Sequence, residues 1–193
     1  MISVKNGKLT EIIIKKSKFI SIALNINSLE DCEQKLLEYQ KKYYDCTHFC
    51  FAYVLNGLER ACDDGEPSGT AGKPLLNIIK SQNLNHVLLI VIRYFGGIKL
   101  GAGGLIRAYT ESGVEAIKNS EYTTLVEAIN ISFHINFDEA FKIYILSNSG
   151  LFKILQRVGN DFIIECEKND FELVLNEINK FHISKIEIKE VLK

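Results

Sequence analysis

Two short stretches hold most of the residues able to bind or transform a ligand. DDGEPSGTAGKP, Asp63 to Pro74, sets the three acids Asp63, Asp64 and Glu66 within four positions. RYFGGIKLGAGGLIRAYT, Arg93 to Thr110, sets Arg93, Lys99 and Arg107 among five of the chain's 13 glycines. Acids at that density suit a divalent cation or a general base, but an acidic turn that caps a helix or pairs with a basic loop has the same composition, and that is the preferred reading. Glycines where a strand hands over to a helix let backbone amides turn toward a ligand, and a helix N-terminus favours anions. Lys99 and Arg107 flank such a junction and Arg93 precedes it. With the bare backbone of Gly101, Gly103 and Gly104 they make a candidate phosphate clamp, with Arg107 expected to matter most. The alternative is that these glycines serve backbone geometry alone and the cations are solvated.

Neither stretch is a known nucleotide loop. After Gly101 and Gly103 the position that a dinucleotide fingerprint reserves for glycine holds Ile106. Pro67 and Pro74 occupy the positions where a P-loop needs its first glycine and its magnesium-binding hydroxyl. No Gly-x-Ser-x-Gly elbow is present, and no cofactor is expected. His48 lies two residues from both Cys46 and Cys50, which would put all three on one face of a regular strand. One strand rarely supplies three zinc ligands, so a buried, hydrogen-bonded His48 is preferred and no metal is expected. The five cysteines are odd in number and lack paired short spacings, which suits free thiols. His86, His134 and His182 show no partner in the sequence.

The elements that must position these residues follow from periodicity. TEIIIK (10–15) and KFISIAL (18–24) read as strands, and a helix capped by Ser28 follows, with Leu29, Cys32, Leu36, Tyr39 and Tyr43 on one face. THFCFAYVL turns at Asn56-Gly57 and returns through Cys62. A helix with Pro74 in its first turn comes next, facing inward with Leu75, Leu76 and Ile79, and then the most apolar strand, His86 to Tyr94, which should be central. After the glycine loop, Leu105, Ile106, Tyr109, Ser112, Gly113, Ala116 and Ile117 trace an inward helical face. Beyond residue 128 the order reads βαββαβ: strand 129–136, helix 138–148, strands near 151–157 and 161–167, helix 170–180 opened by a capping box of Asn169 and Glu172, and strand 184–191. Two domains are expected, 1–128 and 129–193.

The hydrophobic fraction of 47 % and charged fraction of 24 % are globular, and a net charge of −1 gives no bulk argument for nucleic acid. Any anion site must be local. The longest apolar run, VLLIVI, is too short for a bilayer, and the first residues do not read as a secretory signal. A cytoplasmic location with no membrane association is expected.

CTHFCFAYV (Cys46–Val54), DDGEPSGTAGKPLL (Asp63–Leu76) and VIRYFGGIKLGAGGLIRAYT (Val91–Thr110), in that order, closely resemble the signature segments of the YigZ/Impact family. The second domain resembles the small C-terminal domain of the bacterial YigZ branch. The resemblance implies an α+β protein: an N-terminal α/β domain of the ribosomal-protein and elongation-factor type, then a ferredoxin-like βαββαβ domain similar to those of elongation factor G. It implies a non-catalytic protein that binds RNA or a ribosomal component and modulates translation. Eukaryotic Impact interferes with activation of a stress kinase that targets an initiation factor. This sequence shows no counterpart of its kinase-associated recognition domain, so that partner is not carried over. Onto matching positions the resemblance carries His48, Asp63, Asp64, Glu66, Arg93, Lys99 and Arg107. Cys46 and Phe49 stand where the family's strand motif usually has a small residue and an asparagine. The rival is an enzyme on a small phosphorylated substrate, with Arg93, Lys99 and Arg107 on the phosphate and Asp63, Asp64 or Glu66 as base or metal ligand. An RNA binder would use exposed aromatics, for which Tyr94, Phe95 and Tyr109 are candidates.

Overall fold

The computed structural model describes residues 2–192, and the chain divides at Thr124/Leu125 into two compact units. The division falls ahead of the boundary expected at 128/129, because β8, the first strand of unit 2, already begins at Glu127.

Unit 1 contains β1 (Ile2–Asn6), β2 (Thr10–Ile14), β3 (Ser17–Asn25), α1 (Leu29–Lys42), β4 (His48–Leu55), β5 (Leu58–Cys62), α2 (Gly72–Ser81), β6 (Val87–Tyr94), α3 (Ala102–Lys118) and β7 (Glu121–Thr124). Five strands form one sheet in the order β2-β3-β6-β4-β5, every neighbouring pair antiparallel. The apolar run of β6 is central, and its alternation serves both faces. Val87, Leu89 and Val91 join Leu75 and Ile79 of α2 and Tyr109 of α3, while Leu88, Ile90 and Ile92 join Cys32 of α1. A strand covered on both sides has no polar face, which is why it reads as continuous hydrophobicity.

Local chemistry explains the helix starts. Ser28 Oγ accepts from Asp31 N at 3.1 Å, and Asp31 Oδ2 accepts from Asn27 N at 2.9 Å, so α1 begins with a reciprocal cap. Leu29 nevertheless lies outside the buried stripe, at 39 % exposure. In α2 the third residue is Pro74, whose missing N–H has no partner to lose in a first turn. Gly113 lets α2 and α3 approach: a Cβ there would sit 2.9 Å from Ile78 Cδ1 and Leu75 Cδ2. Ile106, expected inward, is exposed, whereas Leu105, Tyr109, Ser112, Ala116 and Ile117 are buried.

Two strands have no counterpart in the sequence reading. β1 and β7 pair antiparallel with Ile2 opposite Thr124, closing unit 1 with a two-stranded ribbon. Both are short, mixed in polarity and far apart in sequence, so neither periodicity nor turn chemistry announces them.

Unit 2 contains β8 (Glu127–Ile135), α4 (Ala140–Ser147), β9 (Lys153–Val158), β10 (Asp161–Glu167), α5 (Phe171–Ile178) and β11 (Ile183–Leu192). The antiparallel sheet runs β11-β8-β10-β9. Ile131, Phe133, Ile135, Phe162 and Ile164 of the sheet pack with Ile143 of α4 and with Val174 and Ile178 of α5. The expected capping box does not form. Asn169 lies in a 3-10 turn, Lys168–Asp170, and α5 continues from that turn without a side-chain cap.

Candidate functional site: a cleft at the start of α3

β4 and β6 lie side by side with His48 opposite Arg93, and the acidic loop after β5 returns to the same end of the sheet. Arg93 is 4 % exposed and Glu66 8 %. Arg93 Nη1 donates to Glu66 Oε1 at 2.6 Å, and Nη2 donates to Ser17 Oγ at 3.3 Å. The same Oε1 accepts from the Tyr109 hydroxyl at 2.8 Å. Cys50 Sγ lies 3.4 Å from that hydroxyl and 3.0 Å from the Asp63 carbonyl. Burial pushes both the Cys50 thiol and the Tyr109 phenol far above their ordinary values, and the negative charge of Glu66 adds to both shifts. Cys50 is therefore no thiolate nucleophile, and Tyr109 keeps the proton it gives to Glu66.

His48 is oriented by its other nitrogen. Nδ1 sits 2.8 Å from the Asp64 carbonyl, an atom that only accepts, so this contact assigns a proton to Nδ1 and leaves Nε2 for other partners. Nε2 is 3.9 Å from Glu66 Oε2, the carboxylate oxygen that Arg93 and Tyr109 do not use.

The other two acids are occupied with the backbone. Asp63 Oδ1 accepts from Ala71 N and Gly72 N at 2.9 and 2.8 Å, and Oδ2 from Gly69 N at 2.8 Å. Burial raises the Asp63 carboxyl, but these amide bonds outweigh it and hold the group below its ordinary value. Asp64 Oδ2 accepts from Phe49 N at 2.6 Å. The acidic turn thus caps the start of α2 and the start of β4, and of the three acids only Glu66 faces the cleft.

That cleft has a volume of about 450 Å³, and its wall includes His48, Glu66, Arg93, Phe95, Lys99 and Gly101. Gly101, with φ of 71°, is the N-cap of α3, and no side chain caps the helix. First-turn amides with no side-chain acceptor carry partial positive charge. Lys99 is exposed at the rim, and Phe95 is 45 % exposed, its ring centroid 5.5 Å from the Arg93 guanidinium carbon. Phe95 N donates to Thr47 Oγ1 at 2.9 Å, which fixes the loop's first residue to β4.

Arg107 is not part of this wall. It is exposed on α3, and five residues beyond Ala102 it lies about 140° round a helix that turns about 100° per residue. Gly103 and Gly104 lie in the first turn without lining the cleft. Of the other aromatics, Tyr94 donates its hydroxyl to Asp45 Oδ1 at 2.7 Å, and Tyr109 is fully buried. The Cys46, His48, Cys50 trio is split: Cys46 packs with the α1 face and Cys50 with the α2–α3 face, since Cys46 precedes β4 and strand alternation does not reach it. Among the described residues no group of three or more His, Cys, Asp and Glu is arranged to hold a metal ion. His86, His134 and His182 have partners in Asn56, Asp161 and Glu139. Ser17 and Thr47, which fix the loop, had no signal in the sequence because each acts through pairing across the sheet. No helix among the described residues is long and apolar enough to cross a membrane.

Residues 15–117, more than half of the chain, match the model of the Impact N-terminal domain. The chain is 42 % identical over 120 residues to the IMPACT family member YvyE of Bacillus subtilis, a stretch covering 61 % of this chain and 55 % of that protein. It is 37 % identical over 101 residues to the IMPACT family member YigZ of Escherichia coli, covering 50 % of each. The matches thus span about half the length of these relatives. A crystal structure of a hypothetical protein shares the fold, with a TM-score of 0.71 at 23 % identity over 96 % of this chain and 95 % of that one. The three signature segments that build the cleft fall inside the matched domain, and the chain belongs to the YigZ/Impact family.

Proposed function

We propose that this protein is a non-catalytic, cytoplasmic binder of RNA or of a ribosomal component that modulates translation, and that the cleft at the start of α3 holds a phosphate of that ligand. The observation that carries this reading is the meeting, in one cleft, of an uncapped 17-residue helix N-terminus, Lys99 and the exposed ring of Phe95. Phosphate favours the first two and an unstacked base favours the third. The one acid in the wall, Glu66, is compensated by Arg93, so the cleft does not repel an anion. Family membership supports the translation reading. In unit 2 the strand order β11-β8-β10-β9 supports the ferredoxin-like reading and, through it, the implied similarity to elongation-factor domains.

The test is binding of a labelled single-stranded RNA, together with co-sedimentation with ribosomes before and after nuclease treatment. Lys99→Ala and Phe95→Ala should each weaken RNA binding by several-fold or more, with a salt-dependent loss only for Lys99. Parent protein that binds neither RNA nor ribosomes at low salt overturns the reading.

One observation favours the enzymatic alternative. His48 Nε2 and Glu66 Oε2, 3.9 Å apart, face the same cleft and suit a general base beside a bound phosphate ester. Turnover of a phosphorylated small molecule that disappears in His48→Ala would establish it.

A further inference from the structure

The hairpin joining β2 to β3 ends in an unexpected pair. Ile14 pairs with Ser17, which leaves Lys15 and Lys16 as a two-residue turn with φ of 45° and 66°. Positive φ at both positions is the type I′ requirement, which Asn and Gly meet best. The same sheet meets it that way elsewhere: Asn56 and Gly57, at 49° and 82°, join β4 to β5. Two lysines in the left-handed region are a strained choice that turn geometry does not explain.

The position of this turn supplies a reason. Gly96 directly follows Phe95 of the cleft wall, and a Cβ at Gly96 would lie 2.0 Å from the carbonyl carbon and oxygen of Lys16. The glycine loop and the hairpin tip are therefore in backbone contact. Ser17 Oγ accepts from Gly96 N at 3.2 Å and from Arg93 Nη2 at 3.3 Å, tying the tip to the ion pair beneath the cleft. Both lysines are exposed, and neither has a carboxylate partner among the described residues. The tip thus carries two uncompensated cations on a fixed base, one residue beyond Phe95.

We propose that Lys15 and Lys16 form a second phosphate-binding element, so that the site takes a single strand of nucleic acid with consecutive phosphates rather than a mononucleotide. One phosphate sits at the α3 N-terminus and Lys99, a base lies against Phe95, and the strand continues over the hairpin tip. This rests on the RNA reading of the cleft and adds the class of ligand, a polymer, and the direction in which it runs.

The test uses the full chain and a labelled oligouridylate of about a dozen nucleotides, a length in the range that single-strand sites occupy. Lys15→Asn/Lys16→Gly removes both charges while installing the residues the turn prefers, so its melting temperature should equal or exceed the parent's. Its affinity at low salt should fall about tenfold, and the slope of log affinity against log salt should become shallower by roughly one to one and a half, near 0.7 per single-strand phosphate contact. Lys15→Arg/Lys16→Arg should retain binding. If Lys99→Ala weakens binding while Lys15→Asn/Lys16→Gly matches the parent in affinity and slope, the hairpin proposal is overturned and the cleft reading stands. A loss in the arginine variant equal to that in the Asn-Gly variant also overturns it, since charge is then not the cause. A parent chain that binds no oligouridylate overturns the cleft reading and this proposal together.

Discussion

Arg93 and Glu66 form an ion pair in which a single carboxylate oxygen serves both the guanidinium and the Tyr109 hydroxyl. The second oxygen is left toward the cleft and His48. A pair this deeply buried is costly to break from one side, because the remaining carboxylate loses its counter-ion and keeps only the Tyr109 hydroxyl on that oxygen. Arg93→Ala should destabilise unit 1 by about 3–5 kcal/mol in urea unfolding, whereas Arg93→Met combined with Glu66→Gln should cost clearly less than the single change. Equal losses in the two variants would show that the pair contributes packing rather than charge.

Asp63 gives the fold a defined acid sensitivity. Its carboxyl is held below the ordinary value of 3.8 in the folded state. The stability it contributes is therefore present above that value and is lost as pH falls through the depressed folded one. Between neutral pH and 3.8 that contribution is nearly constant. Urea midpoints for Asp63→Asn should be lower than the parent's at neutral pH, and the two curves should converge as pH drops below 3.8. A constant gap down to strong acid would remove Asp63 from the account of acid unfolding.

The glycines of the loop should answer differently to alanine. Gly96→Ala places its Cβ on Lys16's backbone, and a loss of about 2 kcal/mol or more is expected from forced backbone movement. Gly103 has open space around it and lies inside α3, where alanine is the better helix former by about 0.5–1 kcal/mol. Gly103→Ala should raise the melting temperature. Reduced RNA binding in that more stable protein would mark the amide edge of α3 as a contact surface.

Lys99→Ala should weaken RNA binding more than Arg107→Glu does, because only Lys99 reaches the cleft. Affinities measured at low and moderate salt decide this, and a larger effect at Arg107 would move the ligand onto the exposed side of α3.

Residues 125–193 have their own sheet, two helices and a contiguous core, so this fragment should melt cooperatively when expressed alone. A noncooperative change in circular dichroism would show that it folds only as part of the longer chain.

The parts legible in the sequence are those governed by short-range chemistry. Ser28, Pro74 and Asn56-Gly57 announce two helix starts and a turn, and β6 is recognised as central because both its faces are apolar. The acidic turn is read as structural, and Asp63 and Asp64 do hold backbone amides. What escapes is what depends on distant partners. Ser17, Thr47 and the Lys16–Gly96 contact exist only once β3 and β4 flank β6. Arg107 is favoured over Lys99 in the sequence because spacing alone sets it near the helix start, whereas the cleft wall holds Lys99 and not Arg107. The Asn169 pattern failed because a 3-10 turn took over the entry to α5.

The ribbon of β1 and β7 has a consequence for the order of assembly. Ile2 is partnered by Thr124, so the first strand of unit 1 is matched by its last. During synthesis β1 can bridge Leu84 through Ile2 partway along, but it is closed into its ribbon only when nearly all of unit 1 has emerged. Sequence-distant pairing of this kind closes a large loop late and slows folding. The same closure leaves the two ends of unit 1 adjacent, which is the geometry of a module that can be inserted, permuted or joined to a neighbour without reopening its sheet.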